Sequence, residues 1–284
     1  MGKKIITLGL PSSGKSCYMS VAVSYMFRNK MYDIVASDRN LRAVADEIEE
    51  RMQSGQWVEK TIGREEYRFT KKGVFTETTY VLHDWNGEYF HLLGLDEDQA
   101  SMKWNKAQER INGEIVKGDE LRKLYEADCR DADAILLFID AKTLMEIEDR
   151  KYTRNSLNTL IDILQRSGKK RVIAIVLTKV DYLEGSEAFC RDDKMIDIEK
   201  IENYLQSKYN SFFSVVFSNR HKVSVSAVSC IPVKAHRNNK RGHGTLPNED
   251  WSLNDLNFTI VDGGKDERFG NDMLTPIRWT LFNT

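Results

Sequence analysis

A segment near the start of the chain combines glycines, serines and a lysine at a spacing that suits phosphate binding. It reads Gly9-Leu-Pro-Ser-Ser-Gly14-Lys15-Ser16 and follows a short apolar run that begins at Lys4. Glycines let backbone N–H groups turn inward around phosphate oxygens, and the N-terminus of the helix predicted next favours negative charge. We expect Lys15 to reach the β- and γ-phosphates and Ser16 to join the shell of a Mg²⁺ ion. The residues predicted to contact the nucleotide here are Gly9, Ser12, Ser13, Gly14, Lys15, Ser16 and Cys17.

Two later segments indicate which base the nucleotide carries. Leu177-Thr178-Lys179-Val180-Asp181 stands at the end of the strongest apolar run. A carboxylate there can accept hydrogen bonds from both N1–H and the exocyclic amine of guanine, a pair that adenine does not offer. Further on, Ser224-Val-Ser226-Ala227 follows a short predicted strand, where backbone N–H groups can meet the guanine O6. The residues predicted to bind the base are Thr178, Lys179, Asp181, Ser226 and Ala227.

A third segment places an acid at the end of a predicted strand, three residues before a glycine. It reads Val81-Leu-His-Asp84-Trp85-Asn86-Gly87. Asp84 can hold Mg²⁺ through water, and the Gly87 N–H can touch the γ-phosphate.

The remaining contact to Mg²⁺ and the γ-phosphate is expected from a threonine in a loop. Thr61 is the preferred candidate, and Thr70 is the competitor.

These motifs need strands that end at one edge of a sheet, and the apolar pattern supplies them. Strands alternating with helices imply βαβ crossovers and a sheet that helices cover on both faces. We therefore predict an α/β fold, a three-layer sandwich with a mostly parallel central sheet and helical insertions. The strands are predicted at residues 4–9, 32–36, 67–70, 78–83, 134–139, 171–177 and 222–225, and the helices at about 16–28, 41–52, 101–128, 152–167, 196–209 and 276–282.

The chain is predicted to form a single domain over residues 1–284. The distance from Asp84 to Asp181 leaves room for a helical insertion at about 96–128, and residues 230–284 are expected to form a C-terminal extension that closes with a helix. The stretch 230–255 is irregular and partly basic, which fits a solvated loop, a contact to an anionic partner or a lid over the nucleotide.

Composition limits the possible partners and location. Lys and Arg number 42 against 43 Asp and Glu, a net charge of −1, which argues against a nucleic-acid or membrane partner recruited by overall charge. Four scattered cysteines without a CxxC pair are typical of reduced thiols. The sequence also has no signal peptide and no apolar run of the length that a membrane helix needs, about 18 residues. We therefore predict a cytoplasmic protein.

The chain resembles the Ras-like, translation-factor-related GTPases of the TRAFAC class through five features in this order: Gly9–Ser16, Thr61, Asp84–Gly87, Thr178–Asp181 and Ser226–Ala227. The resemblance runs from residue 4 to about 228. It implies a protein that binds Mg²⁺ with GTP or GDP, hydrolyses GTP to GDP and phosphate, and acts as a switch on an unidentified protein effector or activator. The chain is also similar to the prokaryotic double-GTPase group, in the segment 32–55, at Trp57 and in the segment 271–279. Members of that group are associated with conflict or defence systems. The sequence is also compatible with a homo-oligomer.

One position departs from the Ras-like pattern. Many members have a glutamine directly after the glycine of the third motif, and this chain has Glu88. The residues that the resemblance assigns to catalysis are Lys15, Thr61, Gly87 and Glu88, and those assigned to the metal are Ser16, Thr61 and Asp84. His83 or a residue from a partner is a further possible contributor to hydrolysis.

Two alternatives stay open: a GTP-binding scaffold with little or no turnover, and another P-loop enzyme that uses ATP.

Overall fold

The described residues form a central β-sheet of eight strands. A computed structural model describes residues 2–36, 40–54, 63–72, 77–111, 113–145, 147–183, 186–192, 196–218, 221–228, 260–261 and 273–284. The strands of the sheet are β1 (Lys3–Gly9), β2 (Asp33–Ala36), β3 (Arg64–Lys72), β4 (Glu77–Trp85), β7 (Ala134–Asp140), β8 (Val172–Thr178), β9 (Lys222–Val228) and β10 (Ile260–Val261), and β5 (Gln108–Ile111) and β6 (Glu114–Lys117) form a separate hairpin.

Ten helices of the described residues connect and cover the strands. They are α1 (Lys15–Arg28), α2 (Leu41–Gln53), α3 (Gly87–Leu93), α4 (Glu97–Lys106), α5 (Gly118–Asp131), α6 (Ala141–Met145), α7 (Ile147–Ser167), α8 (Ile198–Lys208), α9 (Asn210–Ser218) and α10 (Thr275–Asn283). A 3₁₀ turn, Val180–Leu183, follows β8. None of the helices described is long and apolar enough to cross a membrane.

The strand order is β10-β9-β8-β7-β1-β4-β3-β2. The five strands from β9 to β4 run parallel, while β10 joins one side and β3 and β2 the other in antiparallel pairing. Helices lie on both faces of this sheet, which confirms the predicted α/β sandwich with a mostly parallel centre. Because the carboxyl ends of the parallel strands meet at one edge, the loops after β1, β4 and β8 are brought together.

The alternation of side chains along the strands explains the two hydrophobic cores. On β7, Ile135, Leu137 and Ile139 pack on one face, beneath α3 to α9. Ala134, Leu136 and Phe138 pack on the other face, beneath α1, α2 and α10. A strand that is buried on both faces needs an uninterrupted apolar sequence, and β7 and β8 both show one.

The structure corrects the predicted helical insertion at 96–128. Helix α4 ends at Lys106, the chain then forms the hairpin β5–β6, and α5 begins only at Gly118. Gly113 has a φ of +86°, which a tight hairpin turn favours and which glycine adopts without strain. Ile111 is buried and Val116 packs on the same core, so alternate residues hold the hairpin down although the segment is rich in charge.

Two further elements differ from the predictions. Strand β9 continues to Val228 rather than ending at 225, because its last residues pair with β8 on one side and with β10 on the other. Helix α9 was not predicted, and it buries Phe212, Phe213 and Val216. The predicted closing helix is confirmed as α10. The stretch 230–255 lies outside the described residues, and the single-domain assignment for 1–284 stays a prediction.

Candidate functional site

The loop between β1 and α1 is shaped by close contacts at its two glycines. A Cβ on Gly9 would lie 2.6 Å from Ser13 Oγ and 2.9 Å from the carbonyl oxygen of Phe138. Gly14 has a φ of +79°, and its Cβ would lie 3.2 Å from Thr178 Oγ1. Neither position has room for a side chain without movement of its neighbours. The chain therefore forms a tight loop that ends at the first turn of a helix, as the sequence predicts for a phosphate cradle.

The serines of the loop and the first residues of α1 complete the predicted phosphate site. Ser12 has a φ of +65° and an exposed side chain. Ser13 is 3% exposed, and its hydroxyl has no hydrogen-bond partner among the described residues. An orphaned hydroxyl in such a loop fits a ligand with acceptor oxygens. Ser16 is partly exposed on the first turn of α1, while the partly exposed Cys17 packs against the core beneath α1.

A buried ion pair lies directly beside this loop. The ammonium of Lys15 is 2.6 Å from Asp84 Oδ1, and the two side chains are only 3% and 1% exposed. Thr7 lies opposite Asp84 in the β1–β4 register, and its hydroxyl donates to the same oxygen. The lysine of the first motif and the acid of the third, 69 residues apart, therefore meet at one edge of the sheet.

The segment after β4 touches the loop through its glycine. A Cβ on Gly87 would lie 2.9 Å from the carbonyl oxygens of both Gly9 and Leu10, which are rigid backbone atoms. Asn86 caps α3 by accepting a hydrogen bond from the Glu88 N–H at 3.1 Å. The Glu88 side chain is exposed. Gly87 is thus held against the loop, and Glu88 follows it on the outer side of the first turn of α3.

The second motif binds the loop from the β8 side. Thr178 Oγ1 donates to the carbonyl of Ser13 at 2.5 Å, and Lys179 Nζ donates to the carbonyl of Ser12 at 2.5 Å. Lys179 has a φ of +55° and also pairs with Asp140 Oδ2 at 3.5 Å. The sequence analysis missed these contacts, because it assigned Thr178 and Lys179 to the base alone.

The remaining residues predicted to bind the base lie at the same edge of the sheet. The backbone of Asp181 lies in the 3₁₀ turn directly after β8, and its side chain is outside what the structure describes. Ser226 and Ala227 are buried inside β9 rather than in a loop beyond it, and Ala227 pairs with Leu177. The predicted end of the strand was therefore wrong by three residues, whereas the binding role of all three residues stays a prediction.

The two candidate threonines are placed differently. Thr61 lies outside the described residues, although the carbonyl of Gly63 accepts a hydrogen bond from the Asn86 N–H at 2.9 Å, just before Gly87. Thr70 lies far along β3, opposite Thr79. It is five residues from Glu65, the residue opposite Asp84, which corresponds to about 17 Å along a strand. This position separates Thr70 from the loop.

His83 belongs to a different cluster. Its Nδ1 is 2.8 Å from Asp128 Oδ2 and its Nε2 is 3.3 Å from Glu66 Oε2. Trp85 Nε1 donates to the same Asp128 oxygen at 3.0 Å, and Arg64 lies 3.3 Å from it. Burial raises the pKa of Asp128, but the hydrogen bond and charge of His83, together with Arg64, more than offset it and hold that pKa below its usual value. Because successive strand residues face opposite sides, His83 lies on the other face of β4 from Asp84.

The fold and the site together define the class of the protein. A glycine loop that joins the first strand of a parallel sheet to the first helix, with a lysine and an acid meeting beneath it, characterises a P-loop nucleotide-binding protein. A family model described as Double-GTPase 2 matches residues 4–236, and the chain therefore belongs to the Double-GTPase 2 family. This confirms the predicted resemblance to the double-GTPase group and indicates a GTP-binding protein. None of the curated proteins compared with the chain matches it.

Proposed function

We propose that the protein binds Mg²⁺ and GTP and hydrolyses the GTP to GDP and phosphate. The convergence of three distant segments on one loop carries this proposal. Lys15 meets Asp84, Gly87 lies against Gly9, and the Thr178 side chain bonds the loop from the opposite side. These contacts support the proposal, because phosphoryl transfer needs a cation and hydrogen-bond donors close to the terminal phosphate.

Each residue predicted to bind phosphate or Mg²⁺ has a role in this proposal. Lys15 neutralises charge on the β- and γ-phosphates when its ammonium exchanges the Asp84 carboxylate for phosphate oxygens. Backbone N–H groups of the loop and the Ser13 hydroxyl donate to the same oxygens. Ser16, Asp84 and Thr61 are the oxygen donors that would hold Mg²⁺, which prefers such ligands and, when bound, neutralises the charge of the transferred phosphoryl group.

The specificity for guanine rests on the segment after β8. Asp181 accepts from the two N–H groups on one edge of guanine. Ser226 and Ala227, whose backbones pair within the sheet, are the predicted contacts on the O6 side of the base. The contacts of Thr178 and Lys179 to the loop support this assignment, because they connect the base site to the phosphate site.

Hydrolysis by the isolated chain is slow in this account. Water attacks the γ-phosphorus, the bond to the bridging oxygen breaks, and GDP and inorganic phosphate leave. Ionised Glu88 accepts a hydrogen bond from the water but cannot donate one to the γ-phosphate, as a glutamine would. A partner protein that supplies a positive charge would therefore accelerate the step.

Slow hydrolysis suits a conformational switch. The γ-phosphate orders the Thr61 segment and the Gly87 segment, and hydrolysis releases both. By resemblance to the double-GTPase group, the switch acts on a protein effector in a prokaryotic conflict or defence system, in the cytoplasm. A GTP-binding scaffold is the second candidate, because Glu88 stands where many Ras-like members have a glutamine and its side chain is exposed.

Phosphate release by the purified protein tests the proposal. We expect release from GTP with Mg²⁺, little release without Mg²⁺, and none above background from ATP. Tight GTP binding without release supports the scaffold, whereas equal release from ATP contradicts the guanine assignment. The Lys15→Ala/Asp84→Asn variant serves as the control for contaminating phosphatase.

A further inference from the structure

The hairpin β5–β6 contacts two described segments, the start of β3 at Gly63 and the first turn of α3 at Tyr89. We call Gln108–Lys117 the inserted hairpin. Its Glu109 accepts a hydrogen bond from the hydroxyl of Tyr89, which lies in the first turn of α3. The other carboxylate oxygen of Glu109 lies 2.7 Å from where a Cβ on Gly63 would be, so the carboxylate rests against the chain at the start of β3. One side chain of the inserted hairpin thus touches both segments.

Tyr89 is held rigidly for this contact. It is 4% exposed, stacks on Trp104 of α4 with ring centroids 5.2 Å apart, and meets Trp85 edge-on at 5.6 Å. The pKa of the Tyr89 phenol is raised well above its usual value, mainly by burial and secondly by the nearby Glu109. The hydroxyl therefore keeps its proton and acts as a donor. The aromatic packing fixes the ring, and the hydrogen bond then fixes Glu109.

The backbone extends the contact to the phosphate loop. The Asn86 N–H donates to the Gly63 carbonyl at 2.9 Å, and Gly87 lies against Gly9. Glu109 therefore closes a ring of contacts that runs from the start of β3, through the β4–α3 junction, to Tyr89. Movement of one segment must either carry the other with it or break both the contact at Glu109 and the backbone hydrogen bond from Asn86 to Gly63.

We propose that Glu109 is a positioning residue that couples the two segments expected to contact the γ-phosphate. The proposal rests on the proposed GTP-binding function and deepens it. With the coupling intact, one γ-phosphate contact helps to place the other. Without it, the nucleotide must order the two segments separately, which weakens binding of GTP but not of GDP.

The experiment compares the affinity for a non-hydrolysable GTP analogue with that for GDP in the wild type and in five variants. Four are test variants, namely Glu109→Ala, Tyr89→Phe, the double variant of these two, and Glu109→Gln, and the fifth is a control. In Glu109→Ala and Tyr89→Phe we expect the preference for the analogue over GDP to fall about tenfold, the effect of one hydrogen bond to a charged group, with GDP affinity unchanged. The double variant should lose no more than either single one.

Glu109→Gln should recover most of the preference, because its carbonyl still accepts from Tyr89. Glu114→Ala is the matched control, since Glu114 is exposed on the facing strand of the same hairpin, and it should behave as the wild type. Thermal unfolding and GDP affinity together show whether each variant is folded.

The outcomes separate the two proposals. A wild-type protein that binds neither nucleotide contradicts the proposed function itself. A wild type that prefers the analogue, with the same preference in Glu109→Ala and Tyr89→Phe, overturns only the coupling role of Glu109. Additive losses in the double variant would also overturn it, because the two side chains would then act independently.

Discussion

Removing the Lys15 ammonium should affect stability and nucleotide binding for two separable reasons. In the structure Lys15 and Asp84 form an ion pair at 2.6 Å that is almost fully shielded from water. Lys15→Ala leaves the buried carboxylate without this cation, and breaking a buried pair in this way costs about 3–5 kcal/mol of unfolding free energy. The same change removes the cation aimed at the phosphates, worth roughly 1.5–3 kcal/mol or about ten- to a hundred-fold in GTP affinity.

Because whole domains unfold with only about 5–15 kcal/mol, weak GTP binding by Lys15→Ala alone would be ambiguous. The second substitution Asp84→Asn removes the stranded charge and still offers an oxygen to the Thr7 hydroxyl. We therefore expect Lys15→Ala/Asp84→Asn to recover at least about 2 kcal/mol of the lost stability, while its GTP affinity stays as low as that of the single variant.

Urea unfolding and titration with a fluorescent GTP analogue measure the two quantities. Lys3→Ala is the control, since Lys3 is exposed at the start of the same strand as Thr7, and it should change the unfolding free energy by less than about 0.5 kcal/mol. Wild-type affinity in the folded double variant would refute the phosphate-binding role of Lys15. Unchanged stability of Lys15→Ala would refute the buried pair.

Three further predictions concern hydrolysis, acid stability and the switch. Glu88→Gln should turn over GTP in single-turnover assays as fast as the wild type or faster, because glutamine can also donate to the γ-phosphate, and a large loss would instead identify Glu88 as a general base. Asp128→Ala should cost about 3–5 kcal/mol in urea unfolding at pH 7. Since folding lowers the pKa of Asp128, its contribution is present above about pH 4 and disappears as the pH falls further, so the difference from the wild type should shrink there. Hydrogen exchange should slow in residues 56–64 and 85–100 when a GTP analogue replaces GDP, and identical exchange would favour the scaffold.

The sequence predicts the sheet and the loop well because their signals are local. A strand buried on both faces must be continuously apolar, as β7 and β8 are, and a glycine loop between strand and helix carries its own spacing. The sequence also predicts that the motifs of Lys15 and Asp84 lie at one edge of the sheet, although it does not predict the ion pair between them.

The inserted hairpin and its contacts could not be predicted in the same way. Asn112-Gly113 is a hairpin signal in the sequence, but the charged residues around it favoured a helix. The contact between Glu109 and Tyr89 joins residues 20 apart, and that between His83 and Asp128 joins residues 45 apart. Such contacts depend on tertiary packing, which no spacing rule encodes.

Titration of the wild-type protein with GDP and with ADP, both in the presence of Mg²⁺, tests the central claim most directly. We predict that GDP binds at least a hundred-fold more tightly, because the carboxylate of Asp181 pairs with two N–H groups that adenine lacks. In the same titration Asp181→Asn should weaken guanine nucleotides and shift the preference toward xanthine nucleotides. Equal affinity of the wild type for GDP and ADP would contradict the assignment of the site to guanine nucleotides.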